Sequence, residues 1–199
     1  LGIWIKNSVN SLITSSEFRG INTSWLKPTA VYIENGSSTI SNSTFHDNNI
    51  GVLVENFANP TIKNNIFENN QTPIKTNNLL ANFSGNTAQD NELNGILVSG
   101  FGFSDTVTQI DWQKADLPYI LESSTIVSAG QTLDVKPGVI IKLKDGSRIY
   151  IEGSLKVQGQ TGDKIVFTSI QDDEYGGDTN NDDNDTQPLA GYWNFIKFS

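Results

Sequence analysis

"VYIENGSSTISNSTF", residues 31–45, lies over "VLVENFANPTIKNNIF", residues 52–67, and over "IWIKNSVNSLITSSEF", residues 3–18. Each stretch opens apolar–x–apolar, passes through a polar turn and ends in a second short apolar run closing on Phe. Side chains alternating with period 2 in runs this short read as strands, not helices. A fourth copy, "IKTNNLLANFSGNTA" (residues 74–88), fits more loosely, and a fifth begins at "ILVSG" (residues 96–100). The openings fall at Ile3, Val31, Val52, Ile74 and Ile96, at spacings of 28, 21, 22 and 22. An insertion around "NTSWLKP" (residues 22–28) accounts for the long first interval. Ile13, Ile40, Ile62 and Phe83 keep the same step, and Phe18, Phe45 and Phe67 follow the first three by five residues, with Ala88 in that place in the fourth copy.

A fixed period in the low twenties is the signature of a solenoid. One coil cannot bury its apolar face alone, whereas coils stacked about 4.8 Å apart can. The polar turns then stack as well. Ser15, Asn42 and Asn64 fall in one register, and Ser16, Ser43, Asn65 and Asn86 in the next. Asn tolerates the left-handed backbone of tight turns, and its amides can bond along a stack of parallel strands. The pattern resembles the right-handed parallel β-helix repeats of bacterial extracellular proteins, the broad pectate-lyase-like superfamily. The expected fold is an all-β right-handed parallel β-helix with coils of about 21–22 residues.

Composition divides the chain of 199 residues. Residues 1–94 hold nineteen Asn, residues 95–179 none, and four more follow. This shift predicts three parts: Asn-rich coils over 1–98, a connector over 99–116, and a second β-helix module over 117–199. Net charge is −9, but seven acids fall in "DDEYGGDTNNDDNDT", residues 172–186, with no Lys or Arg between Lys164 and Lys197. Without those seven, 15 acids face 13 bases. The acidity is local, and no basic nucleic-acid footprint is present. No apolar run approaches the length of a membrane span. There is no Cys, so disulfides and thiol chemistry are excluded.

From Leu117 short alternating strands stand out at "TLDV", "VIIKLK", "RIYIEG", "SLKV" and "KIVFTS". Pro118-Tyr119, Pro137-Gly138-Val139 with Lys142, Ile165 to Ser169, the acidic stretch, and Gly191 with Trp193 together resemble a module of exported bacterial β-helix proteins. In that resemblance the module opens a β-helix and Asn-rich coils come later. Here the order is reversed, so both ends are expected to be open stacks. Further β-helix is their expected partner, either a neighbouring copy or the remainder of a longer chain.

Dense like charges repel, so residues 172–186 are either a solvated loop or the home of something positive. Asp178, Asn180 and Asp182 take positions 1, 3 and 5 of "DTNNDDNDT", with Asn184 and Thr186 at 7 and 9. Alternating oxygen ligands suit Ca²⁺, which takes six to eight hard oxygens. The Gly and Glu that an EF-hand needs are replaced by Asp183 and Leu189, so this is not an EF-hand. The expected Ca²⁺ ligands are Asp172, Asp173, Asp178, Asn180, Asp182 and Asn184.

Catalytic candidates are sparse. A glycosidase needs two carboxylates facing across a sugar. Glu34 over Glu55 is the best such pair, and an exposed face explains it more simply than catalysis. Asp111, Asp116 and Glu122 lie in or beside the connector. Arg19 and Arg148 sit in no matching motif, and His46, the single His, belongs to a turn. Trp4 and Trp193 alternate with core positions and can project outward to meet a sugar ring, while Trp25 and Trp112 fit loop-anchoring roles. No catalytic residue is assigned. The reading is a non-enzymatic extracellular or cell-surface structural or adhesive module with a Ca²⁺ loop. Its alternatives are a carbohydrate-active enzyme or binding domain acting on a polysaccharide, and a subunit of a head-to-tail filament.

Overall fold

A computed structural model describes residues 1–22, 27–100 and 107–199. Trp25 lies outside the described residues, as does part of the 99–116 connector. The described residues form twenty-two strands and no helix. Among the described residues no helix is therefore long and apolar enough to cross a membrane.

The strands fall into eight successive coils. The first three coils are β1 (Ile3–Ser8), β2 (Leu12–Thr14), β3 (Glu17–Arg19); β4 (Thr29–Gly36), β5 (Thr39–Ser41), β6 (Thr44–His46); and β7 (Ile50–Glu55), β8 (Thr61–Lys63), β9 (Ile66–Glu68). The fourth is β10 (Thr72–Thr76), β11 (Asn82–Ser84), β12 (Thr87–Gln89), and the fifth is β13 (Ile96–Val98), β14 (Gln109–Trp112). The sixth is β15 (Tyr119–Leu121), β16 (Thr125–Val127), β17 (Thr132–Val135), and the seventh is β18 (Ile140–Leu143), β19 (Arg148–Ile151), β20 (Ser154–Val157). The last holds β21 (Val166–Ser169) and β22 (Phe195–Phe198). The first strand of every coil joins one eight-stranded sheet, β1-β4-β7-β10-β13-β15-β18-β21, and all its pairings are parallel. This long sheet runs through both halves of the chain. Four shorter parallel sheets complete the walls, two against the Asn-rich coils and two against the later ones.

The register follows the sequence columns. Ile3, Val31, Val52, Ile74 and Ile96 pair in succession. Val31, Val52, Ile74 and Ile96 are wholly buried. Ile13, Ile40, Ile62 and Phe83 form the second column. Phe18, Phe45 and Phe67 stack with ring centroids 5.0 Å apart at both steps. Burying each such side chain contributes about 1.5–3 kcal/mol, so the columns are the main source of stability.

The turns are built from a left-handed residue followed by a buried polar one. Ser15, Asn42, Asn64 and Gly85 all have φ between 49 and 65°. A Cβ on Gly85 would lie 2.1 Å from the Asn64 Oδ1, so a larger residue there would make the Asn64 side chain turn aside. Behind them, the Asn65 amide donates to Ile40 O and to Asn86 Oδ1, and the Ser43 N–H donates to Asn65 Oδ1. A second ladder, at the corner leading back to the long sheet, was not read from the sequence. There Asp47, Asn69 and Asp90 take the left-handed position, and Asn48, Asn70 and Asn91 are buried. Each amide bonds the next, Asn48 to Asn70 at 3.0 Å and Asn70 to Asn91 at 2.9 Å, and Asn91 passes the chain to Asn94.

The acidic stretch is a corner insertion. Residues 170–194 link β21 to β22, where residues 144–147 and 122–124 suffice in the two coils before. The insert folds back over the outer face of the long sheet.

Candidate metal centre

On that outer face one column reads Trp4, Tyr32, Leu53, Lys75, Leu97, Ile120, Lys142, Thr168. Leu97 and Ile120 point away from the solenoid core, yet both are buried in a satellite cluster with Ile170, flanked by Leu93 and Tyr192. The acidic stretch rests beside this apolar anchor. Its backbone is then pinned at three points. The Asn94 N–H donates to Thr179 O at 2.8 Å, the Asn94 side chain donates to Asp178 O at 3.0 Å, and Lys142 Nζ donates to Gly177 O at 2.7 Å. The Asn48–Asn70–Asn91–Asn94 ladder thus ends on the acidic segment itself. Gly176 makes the crossing, with φ +79° and space for a Cβ only at 3.2 Å from Pro118.

Within the insert, Asp173, Asp178 and Asp182 each bring a carboxylate oxygen to within 4.8 Å of the others. Both oxygens of Asp173, Oδ1 of Asn180 and Oδ1 of Asp182 are shielded from solvent and accept no hydrogen bond. The remaining atoms hold the loop's shape. Asp178 accepts from the Asp182 and Asp183 N–H groups at 3.1 Å, forming the turn. The Asn180 amide donates to Asp182 Oδ2 at 2.6 Å and to the Thr186 hydroxyl at 3.1 Å, and that hydroxyl donates to Asp182 Oδ2. Burial raises the Asp173 pKa, reinforced by Asp178, whereas the Thr186 hydroxyl bond lowers that of Asp182.

Three of the six expected ligands therefore converge, Asp173, Asp178 and Asp182, and Asn180 is tied to the last of them through its amide. Asp172 is buried but engaged elsewhere, accepting from the Thr168 hydroxyl and from the Glu174 N–H at 3.0 Å. Asn184 is exposed, with φ 70°. The donor set fits a hard divalent cation, being all oxygen, three carboxylates and one amide. Shielded oxygens without donors are costly unless something positive meets them.

The carboxylates considered for catalysis are each engaged. Glu34 and Glu55 are register partners, as expected. Glu34 accepts from Trp4 Nε1 at 3.1 Å and from Lys6 at 3.3 Å, while Glu55 pairs with Lys27 and the Tyr32 hydroxyl. Asp111 pairs with Lys136, Glu122 with Lys75, and Asp116 accepts from the Gly85 N–H. His46 bridges Glu17 and Asp47 on the surface. Trp4 does project outward, stacked on Tyr32 at 5.8 Å, whereas Trp112 is wholly buried and Trp193 packs against the core.

No curated protein and no solved structure matches the chain. The family model described as a right handed beta helix region matches residues 1–111, more than half of the chain, and the chain belongs to that family of right-handed β-helix proteins.

Proposed function

We propose that the chain is a non-enzymatic scaffold, structural or adhesive, of an extracellular or cell-surface protein, and that its acidic insert holds Ca²⁺. The observation that carries the reading is the set of shielded, donor-free oxygens on Asp173, Asn180 and Asp182, gathered beside Asp178. When bound, the ion would be the direct partner that these oxygens lack, with Asp173, Asp178, Asn180 and Asp182 as its protein ligands. Water fills the rest of a shell of six to eight oxygens. A site with three carboxylate ligands and no bidentate closing Glu fits the weak affinities of extracellular modules, about 10⁻⁴–10⁻³ M. A scaffold role is supported by the engagement of Glu34 and Glu55 with lysines, which leaves no facing pair of free carboxylates on those coils.

Calorimetric titration with Ca²⁺ tests the metal. One site in the high-micromolar to millimolar range is expected, with Asp173→Asn and Asp182→Asn each weakening it about tenfold or more, since each removes a charged ligand. No heat of binding at millimolar Ca²⁺ overturns the calcium reading.

A further inference from the structure

Lys142 is wholly buried although it stands on the outer face of the sheet. Its neighbour in the column is Ile120, and beyond that Leu97, both under the same cover. Packing alone would be served by another apolar residue there. A buried ammonium costs several kcal/mol unless it is paired and hydrogen-bonded. Lys142 answers that cost twice. Its Nζ donates to Gly177 O, and the charges of Asp173, Asp172 and Asp178 act on it in the direction that favours the ammonium, without an ion pair in direct contact. Lys75, two places nearer the first coil than Ile120 in the same column, makes the contrast. It is partly exposed and pairs with a partly exposed Glu122 at 3.4 Å, an arrangement worth little.

We propose that Lys142 is the resident cation of the acidic insert, a latch that holds residues 172–186 against the long sheet before any metal binds. Charge balance extends the idea and rests on the calcium reading. Asp172, Asp173, Asp178 and Asp182 carry four negative charges when ionised, and one divalent ion with one ammonium offsets three of them, so the insert has room for both cations. Burial pushes the Lys142 pKa down to about 8, the nearby aspartates opposing it, and the side chain is therefore charged at neutral pH. Lys142 is a positioning residue: it places the backbone of Gly177, beside Asp178, so that the carboxylates of Asp173, Asp178 and Asp182 converge. Metal then tightens a docked loop instead of folding a free one.

The test uses the whole chain as wild type, Lys142→Met and Lys142→Gln, each in EDTA and in excess Ca²⁺. Limited proteolysis reads the exposure of residues 174–191. Cleavage follows the population of the open loop when opening is fast. In EDTA the wild-type insert should resist cleavage, and both variants should be cut there at least about tenfold faster, a difference of about 1.4 kcal/mol, with the coils left intact. Equal resistance of the variants, or a wild-type insert cut as readily as theirs, overturns the latch. Protection by Ca²⁺ is scored separately. If it appears in no chain, the calcium reading fails while the latch stands or falls on the EDTA arm. Amide exchange of Asn94 in unmodified protein gives a second readout that needs no variant. Its N–H is bonded to Thr179 O only while the insert is docked. Fast exchange of that amide in EDTA also overturns the proposal.

Discussion

The Asn-rich turns place a residue's identity under two different demands, and the neighbours Asn69 and Asn70 separate them. Asn69 is exposed and supplies only a left-handed φ of 53°. Asn70 is buried, accepts from the Asn48 N–H, and donates to Phe45 O and Asn91 Oδ1. Asn70→Ala strands at least two buried backbone groups, at about 1–3 kcal/mol each, so a loss of about 2–6 kcal/mol is expected. Asn69→Gly should stay within about 0.5 kcal/mol, because Gly adopts the same φ freely. Urea unfolding midpoints measured at constant slope distinguish the two, and equal effects would contradict the division of roles. The same pairing of roles was legible at one corner, where Ser15–Ser16, Asn42–Ser43 and Asn64–Asn65 repeat. At the other corner it was not. There the left-handed position alternates between Asp and Asn, and the first coil breaks the column with Ile21, whose N–H meets Asn48 instead. His46 gives a further residue-scale expectation. Its bonds to Glu17 and then Asp47 raise its pKa above the ordinary 6.5. The contribution is therefore full below 6.5 and lost as pH rises through the higher folded value. As the only His, its imidazole can be followed by NMR. Glu17→Gln should move the midpoint down, and a wild-type midpoint at or below 6.5 would remove the bridge from the account.

At the scale of elements, the coils and the insert are legible in different ways. Strand columns announce themselves because period and register are properties of the sequence alone: Val31, Val52 and Ile74 recur at the same step as Ile40, Ile62 and Phe83. The insert's acids were equally plain, but its contacts were not. Lys142 lies thirty residues before Asp172 and Asn94 lies further still, and only the stacking of coils brings them to one place. Lys142 was visible in the sequence as part of "PGVIIKL", without a role. A burial signal existed, since Lys142 shares a strand with Ile140, Ile141 and Leu143 and is its only polar residue. Alternation places Lys142 outward, and sequence reading stops there, because what covers an outward residue depends on a distant segment. The same limit explains Asp172 and Asn184. Spacing nominates oxygen donors, while the turn from Asp178 to Asp183 and the bond from Thr168 decide which of them converge.

At the scale of the molecule, the question is whether two stretches of such different composition behave as one body. Coils interact with their nearest neighbours, so cooperativity across a solenoid is set by its weakest interface. The junction is the pairing of β13 with β15: Ile96 with Tyr119, Leu97 with Ile120, and Val98 with Leu121. Three residue pairs are aligned there, as in the pairings on either side of it, against five between β4 and β7. Aromatic packing offsets the short pairing. Tyr119 is buried, with its ring edge-on to Phe83 of the Asn-rich half at 6.3 Å and to Trp112 at 5.3 Å. Its hydroxyl donates to Gln113 O at 2.8 Å. One residue thus touches the fourth, fifth and seventh coils, counting its strand pairing with Ile141. The intact chain should melt in a single transition. Tyr119→Ala removes a buried aromatic, at about 3–5 kcal/mol, from the interface that couples the halves. The variant should therefore melt in two steps, with amides around Ile62 and Ile149 opening at different temperatures where in the wild type they open together. A wild-type chain that already melts in two steps would show that the junction carries no coupling, and the long sheet would then be continuous in geometry alone.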